Sequence, residues 1–403
     1  MNKAELLGRE QRSDRLHRQV QQAIAHSTAD ACWSWPKQRF EELALALFEH
    51  QFQGCAAYGR YCRGRGVSPS SISSWREIPA VPTDVFRSVD LCSFPTQDSE
   101  LLFMTSGTTS GSRGRHYLRR SDTYLASLSA WFRTFLLVGG AAPKVVVFAP
   151  SAAQDPSSSL SFMLQWAVDA EGAPGSGFFW DSQGPRLAAG LKAMRQAQDL
   201  AQPVLVLGTA RALQALLEGL VSGALGDRLE LPSGSLLMET GGFKGAARTL
   251  SRDLFYEGLS KVLGLPLAAI VSEYGMTELG SQGYQPCALT DHQPGTNEWS
   301  DLAASLPEGL DTAGQLRVFV FPPWCGVGAV DPQSLELLPD GERGLLRFWD
   351  LSNVDSICAI QTADVGVVRG GALSLLGRAP GATARGCSLA VDEVLKAASR
   401  TAE

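Results

Sequence analysis

The sequence has 403 residues, 44% hydrophobic and 19% charged, with 41 acidic against 35 basic side chains for a net charge of −6. Such a length buries one large core or two ordinary ones, and the composition is that of a folded chain rather than a disordered one. The acidic balance argues against broad attraction to phosphate backbones, which removes nucleic acid as a general partner. The N-terminus is charged and has no apolar leader core, and no window reaches about 18 uninterrupted apolar residues. No membrane span is therefore expected, and a cytoplasmic location is. Eight cysteines (Cys32, Cys55, Cys62, Cys92, Cys287, Cys325, Cys358, Cys387) show no Cys-x-x-Cys pair and no zinc-ligand spacing. Reduced thiols are expected, with neither a disulfide frame nor a structural zinc site.

The first ninety residues read as helical, since Phe40 to Gln53 places apolar residues three and four apart. Pro79 and Pro82 then favour an extended connector leading to Phe86 and Arg87. Beyond it, short apolar runs alternate with helical or irregular stretches: Leu101 to Met104, Lys144 to Phe148, Val204 to Leu207, Leu236 to Met238 and Ala268 to Val271. Unbroken apolar runs of this length suit strands covered on both faces, which gives an α/β fold. In open α/β sheets ligands bind beyond the carboxyl ends of strands, so the polar loops after Met104, Leu207, Met238 and Val271 are where chemistry is sought. From about residue 315 to 376 the strand candidates crowd together, as in a smaller β-rich subdomain.

The run after Met104 reads Thr105-Ser106-Gly107-Thr108-Thr109-Ser110-Gly111-Ser112-Arg113-Gly114. Glycines let backbone N–H groups approach phosphate oxygens, hydroxyls donate further hydrogen bonds, and Arg113 adds a permanent bidentate cation. No Gly-Lys-[Ser/Thr] closes the run, so it is not a Walker A loop. Downstream, Ser272-Glu273-Tyr274-Gly275-Met276-Thr277-Glu278 follows a strand candidate. An aromatic face there suits a purine, and a carboxylate suits a hard cation bridging phosphates.

Together these segments resemble the adenylate-forming (ANL) superfamily of acyl-CoA synthetases, peptide-synthetase adenylation domains and firefly luciferase. The first run is similar to its TSGTTGxPKG phosphate loop, with Ser110, Ser112 and Arg113 at the positions of a glycine, a proline and the family lysine. The second resembles YGxTE, which implies Tyr274 stacking on adenine, Thr277 on the α-phosphate and Glu278 on Mg²⁺. Thr240-Gly241-Gly242 looks like the loop that passes adenine, Thr362-Ala363-Asp364 like the TGD motif that holds the ribose, and Gly377-Arg378 like the hinge. The resemblance implies ATP and Mg²⁺ as cofactors, a small carboxylic acid as substrate, and a core over 1–376 with a short remnant at 377–403 in place of the family's C-terminal lid domain.

A shortened chain of this kind is most similar to the LuxE-type acyl-protein synthetases, through Phe48, Gln51, Tyr58, Tyr61, the Ile78 to Pro82 segment and the ending Leu376 to Gly381. That resemblance implies adenylation of a fatty acid, acyl transfer to a cysteine near the C-terminus, for which Cys387 is the positional match, and delivery to an acyl-reductase or carrier-protein partner. A ligase passing the adenylate to coenzyme A or a carrier thiol, and a non-catalytic adenylate-binding protein, are the alternatives.

Overall fold

The computed structural model describes residues 3–29, 35–106, 111–137, 141–241, 251–286, 317–379 and 385–399. The chain forms two compact units, one of Met1–Trp131, Gly275–Gln282 and Val320–Glu403, the other of Phe132–Tyr274 and Gly283–Phe319.

In the second unit the apolar runs become the parallel strands Lys144–Phe148, Val204–Thr209, Leu236–Thr240 and Ile270–Tyr274, ordered along one sheet. Parallel neighbours need a crossover, and the helices Ser159–Trp166, Leu187–Asp199, Ala210–Val221 and Arg252–Leu263 lie in the connections. The helix Ala210–Val221 shows how the sequence directs this. Thr209 accepts from the Ala212 N–H as its N-cap, and Leu213, Leu216, Leu217 and Leu220 form one buried stripe. Val145, Val146, Val147, Val204 and Val206 are fully buried in the sheet, each contributing about 1.5–3 kcal/mol against exposure. Short strands Gly177–Phe178, Gly283–Tyr284 and Arg317–Val320 extend the order at its two sides.

The first unit gathers the N-terminal helices Lys3–Ala29, Lys37–Gly54 and Ala56–Gly64 and the C-terminal helix Arg385–Ser399. With them lie the antiparallel strands Cys325–Val330, Arg343–Asp350, Ala359–Arg369 and Ala372–Arg378, adjacent in that order. Val81–Pro82 adds a parallel pair to Ile360 and Gln361, the extended path its prolines favour. Trp349 is buried with its ring 4.7 Å from Trp75, which in turn packs edge-on against Phe40 at 5.0 Å.

One strand differs from expectation. Leu101–Met104 is not a covered parallel strand but one arm of an antiparallel hairpin with Arg115–Leu118, and only Phe103 of the four is buried. The loop's two ends must return to each other, and pairing Met104 with Arg115 satisfies the backbone at its neck.

Candidate active site

In the first unit the hairpin brings the two ends of the glycine-rich run together. The Thr105 N–H donates to the Gly114 carbonyl at 3.0 Å, and the Gly114 N–H donates to Thr105 Oγ1 at 2.8 Å. Ser106 and Gly111 are exposed at the rims, Gly111 at φ +75°, where a glycine carries no Cβ penalty. Gly107, Thr108, Thr109 and Ser110 lie outside the described residues. Arg113 faces inward: its guanidinium donates to the Thr105 carbonyl at 2.6 Å and the Met104 carbonyl at 3.0 Å, bracing the neck. Arg115 is paired with Asp90 at 2.8 Å.

Glu278 stands against this neck. A Cβ on Gly114 would press on Thr105 Cγ2 at 3.0 Å and would stand in ordinary contact with Glu278 Oε1 at 3.6 Å, which places the carboxylate beside the neck. Glu278 is 6% exposed. Burial pushes its carboxyl up to about 7, Asp84 adds to the rise, and Arg87 and Arg378 oppose it. Thr277 is half-buried, and its carbonyl accepts from Nδ1 of His116 at 2.7 Å. His116 is itself buried, with the ring of Phe86 edge-on at 6.2 Å, and burial pulls its pKa down to about 4. Gly275 is exposed and Met276 half-buried in the turn before Thr277.

The turn carrying Thr277 and Glu278 is held from below by the segment after Asp350. Asn353 Nδ2 donates to the Glu278 carbonyl at 2.8 Å, and Asp350 accepts from the N–H groups of Gly280 and Ser281 at 2.9 and 2.8 Å. Asp364 pairs across the sheet with Arg378, on strands Ala359–Arg369 and Ala372–Arg378. Arg378 is exposed, as is Gly377 at φ +132°. Cys387 is the third residue of the helix Arg385–Ser399. Its side chain lies outside the described set. That helix packs on Ala56–Gly64, where Arg60 donates to the carbonyls of Ala397 and Ala398 and Arg65 pairs with Glu393 at 2.9 Å.

In the second unit Gly241 follows the strand Leu236–Thr240 at φ +89°. Gly242 lies outside the described residues. Thr240 donates to Glu273 Oε2 at 2.5 Å across the ladder, and burial pushes Glu273 up to about 7 against that bond, with Glu239 adding to the rise. Tyr274 is buried with its ring 5.6 Å from Phe319.

Sequence reading missed Asp84, Arg87, Asp350 and Asn353 as members of this neighbourhood. A polar run, Asp350-Leu351-Ser352-Asn353-Val354-Asp355-Ser356, set between two apolar strands was the available signal, since polar side chains survive burial only when bonded.

The α/β fold, with the Leu101–Met104 and Arg115–Leu118 hairpin standing beside a buried acid, is that of the N-terminal domain of adenylate-forming enzymes. An open conformation of 2-hydroxyisobutyryl-CoA ligase in complex with 2-HIB-AMP and CoA aligns over 86% of this chain and 71% of its own, with a TM-score of 0.52 and 14% identity. The same ligase in its postadenylation state gives a TM-score of 0.51 over 86% of this chain and 69% of its own, at 15% identity. At those identities the likeness is one of fold. Within that class the sequence resembles the LuxE type. It is 32% identical over 83 residues to the long-chain-fatty-acid–luciferin-component ligase of Vibrio harveyi, a match covering 19% of this chain and 22% of that protein. The corresponding ligase of Photorhabdus luminescens is 32% identical over 68 residues, covering 17% of this chain and 58% of that protein. The matched stretch thus spans less than two thirds of either relative. No family model matches the chain.

Proposed function

We propose that this chain is an ATP-dependent acid–thiol ligase that forms an acyl-adenylate and passes the acyl group to Cys387, and from there to a reductase or carrier-protein partner. The observation that carries the reading is the approach of the buried Glu278 carboxylate to the Thr105–Gly114 neck, in the field of Arg87 and Arg378. Glu278 fits Mg²⁺, because a hard carboxylate oxygen held out of water beside a glycine-lined loop is suited to a divalent cation. When bound, the cation would neutralise polyphosphate charge.

The loop amides beside Thr105, Ser106 and Gly111 would receive the pyrophosphate, Thr277 the α-phosphate, Asp364 the ribose and Tyr274 the adenine face. Arg113, which also braces the neck, would supply positive charge to the phosphates together with Arg378 and Arg87. The substrate carboxylate attacks the α-phosphorus, and the bond to pyrophosphate breaks. The Cys387 thiolate then attacks the acyl carbon, AMP departs, and a thioester forms.

Incubation with Mg·ATP and a panel of carboxylic acids, followed by intact mass and pyrophosphate release, tests this. A hydroxylamine-sensitive adduct lost in Cys387→Ser is expected. Acyl-AMP with no adduct would move the acceptor to coenzyme A or a carrier thiol, and no pyrophosphate with any acid would leave only adenylate binding.

A further inference from the structure

The segment Asp350 to Cys358 is buried throughout although it lies between strands. Buried backbone and polar side chains without a ladder must find other partners. Those of Asp350 and Asn353 lie on one turn, residues 278 to 281. Asp350, fully buried, accepts from the N–H groups of Gly280 and Ser281, from Ser281 Oγ at 2.8 Å, and from the N–H and Oγ of Ser352 at 3.0 and 2.6 Å. These donors oppose the rise that burial imposes on its carboxyl. Asn353, 3% exposed, spends its amide on the carbonyls of Glu278 at 2.8 Å and Ile357 at 3.2 Å. The two segments touch so closely that a Cβ on Gly280 would lie 2.4 Å from Ser352 Oγ and 3.1 Å from Asn353 Oδ1.

Hence the backbone of residues 278 to 281 is fixed by side chains from a distant strand end. We propose that Asp350 and Asn353 are positioning residues for Glu278: by clamping the main chain on either side of Leu279, they set where its carboxylate stands relative to the Thr105–Gly114 neck. This rests on the proposed nucleotide-binding function. Asn353 has the sharper role, since its donor is the one that fixes the Glu278 carbonyl itself, whereas Asp350 holds the chain two and three residues on. From the opposite side His116 performs the same service for the Thr277 carbonyl.

The test compares wild type with Asn353→Asp, which keeps shape but loses the donor, Asn353→Ala, and the surface control Glu342→Gln. Mn²⁺ binding in the presence of ATP is read by electron paramagnetic resonance, nucleotide affinity by calorimetry, and thermal midpoint in parallel. Mn²⁺ affinity weakened at least tenfold in both Asn353 variants, with apo nucleotide affinity changed less than threefold, is expected. Asp350→Asn, which retains an acceptor for one donor set, should show a smaller loss of the same kind. If both Asn353 variants lower only the thermal midpoint and bind Mn²⁺ as wild type does, the positioning role is overturned while the proposed function stands. If wild type binds neither ATP nor Mn²⁺ with ATP, the proposed function is overturned and this role falls with it.

Discussion

Asp355→Ala should cost the first unit most of its margin of stability. The Asp355 carboxylate is 4% exposed and accepts from Ser13 at 2.7 Å, from Nε2 of His17 and of His50 at 2.9 Å each, from Ser93 at 2.9 Å and from Nε of Arg119 at 3.0 Å. Burial alone would raise its pKa, yet the two histidines hold it well below the usual carboxylate range. Alanine leaves five donors facing one another, two of them buried histidines, while Arg119 keeps Asp14 as its remaining carboxylate. Breaking a buried pair from one side costs about 3–5 kcal/mol. For a body of roughly 150–250 residues each kcal/mol moves the midpoint about 2–4 °C, which gives a fall of roughly 6–20 °C. Differential scanning calorimetry at pH 7 reads this directly, with Asp355→Asn expected to fall in between. A midpoint within about 2 °C of wild type for the alanine variant would refute the reasoning, because the donors would then have found other acceptors at little cost.

Three further outcomes follow from the site. His116 carries a depressed pKa, so the unfolded chain binds the extra proton between about 6.5 and about 4. The His116 contribution to stability should be complete above pH 6.5 and decline below it by up to about 1.4 kcal/mol per pH unit, about 3 kcal/mol in all, so in urea titrations from pH 7.5 to 4.5 the stability of wild type relative to His116→Asn should fall with pH by that amount. Parallel curves for the two proteins would contradict it. Glu278→Gln should lower Mg²⁺-dependent pyrophosphate release about 100-fold or more while leaving the midpoint unchanged or raised, since the amide needs no deprotonation in a buried place. A variant as active as wild type would remove Glu278 from the metal. Gly114→Ala should weaken ATP binding by pressing Thr105 out of place at the neck, read by calorimetry, and unaltered affinity would show that the neck gives way freely.

Much of this architecture was readable from residue order, and the reasons differ from part to part. Lys144–Phe148 could be placed because a parallel strand covered on both faces leaves an apolar run, whereas the run Ala268 to Val271 caught only the first two residues of Ile270–Tyr274, which continues through the buried polar pair Ser272 and Glu273. Leu101–Met104 looks the same in sequence, but what decides its pairing is the need to close a loop on Arg115, and periodicity carries no trace of that. The glycine-rich and Tyr274-to-Glu278 segments stood out because their residue types and order resemble short family motifs, a local signal that needs no folding to be seen. Arg113 was read as a nucleotide contact from its charge and its place at the family lysine; its donation to the Met104 and Thr105 carbonyls is set by the hairpin's geometry and leaves no trace in the sequence. Asn353 and Asp350 act on residues about seventy positions away, and their chemistry becomes visible only when the chain is folded.

The Asp355 cluster also bears on how the chain is made. Ser13 and Asp355 are 342 positions apart, and His50 and Asp355 are 305 apart. At about 5–20 residues per second, roughly 20–70 s separate the emergence of the N-terminal helix from that of its buried acceptor. During that interval Ser13, His17 and His50 have no Asp355 to bond, so the first helices of the chain wait in solvent or on a chaperone for the last third of the sequence. The cluster can close only once Asp355 has emerged, and variants that slow synthesis before that point or remove Asp355 should be felt first as misfolding of the N-terminal helices.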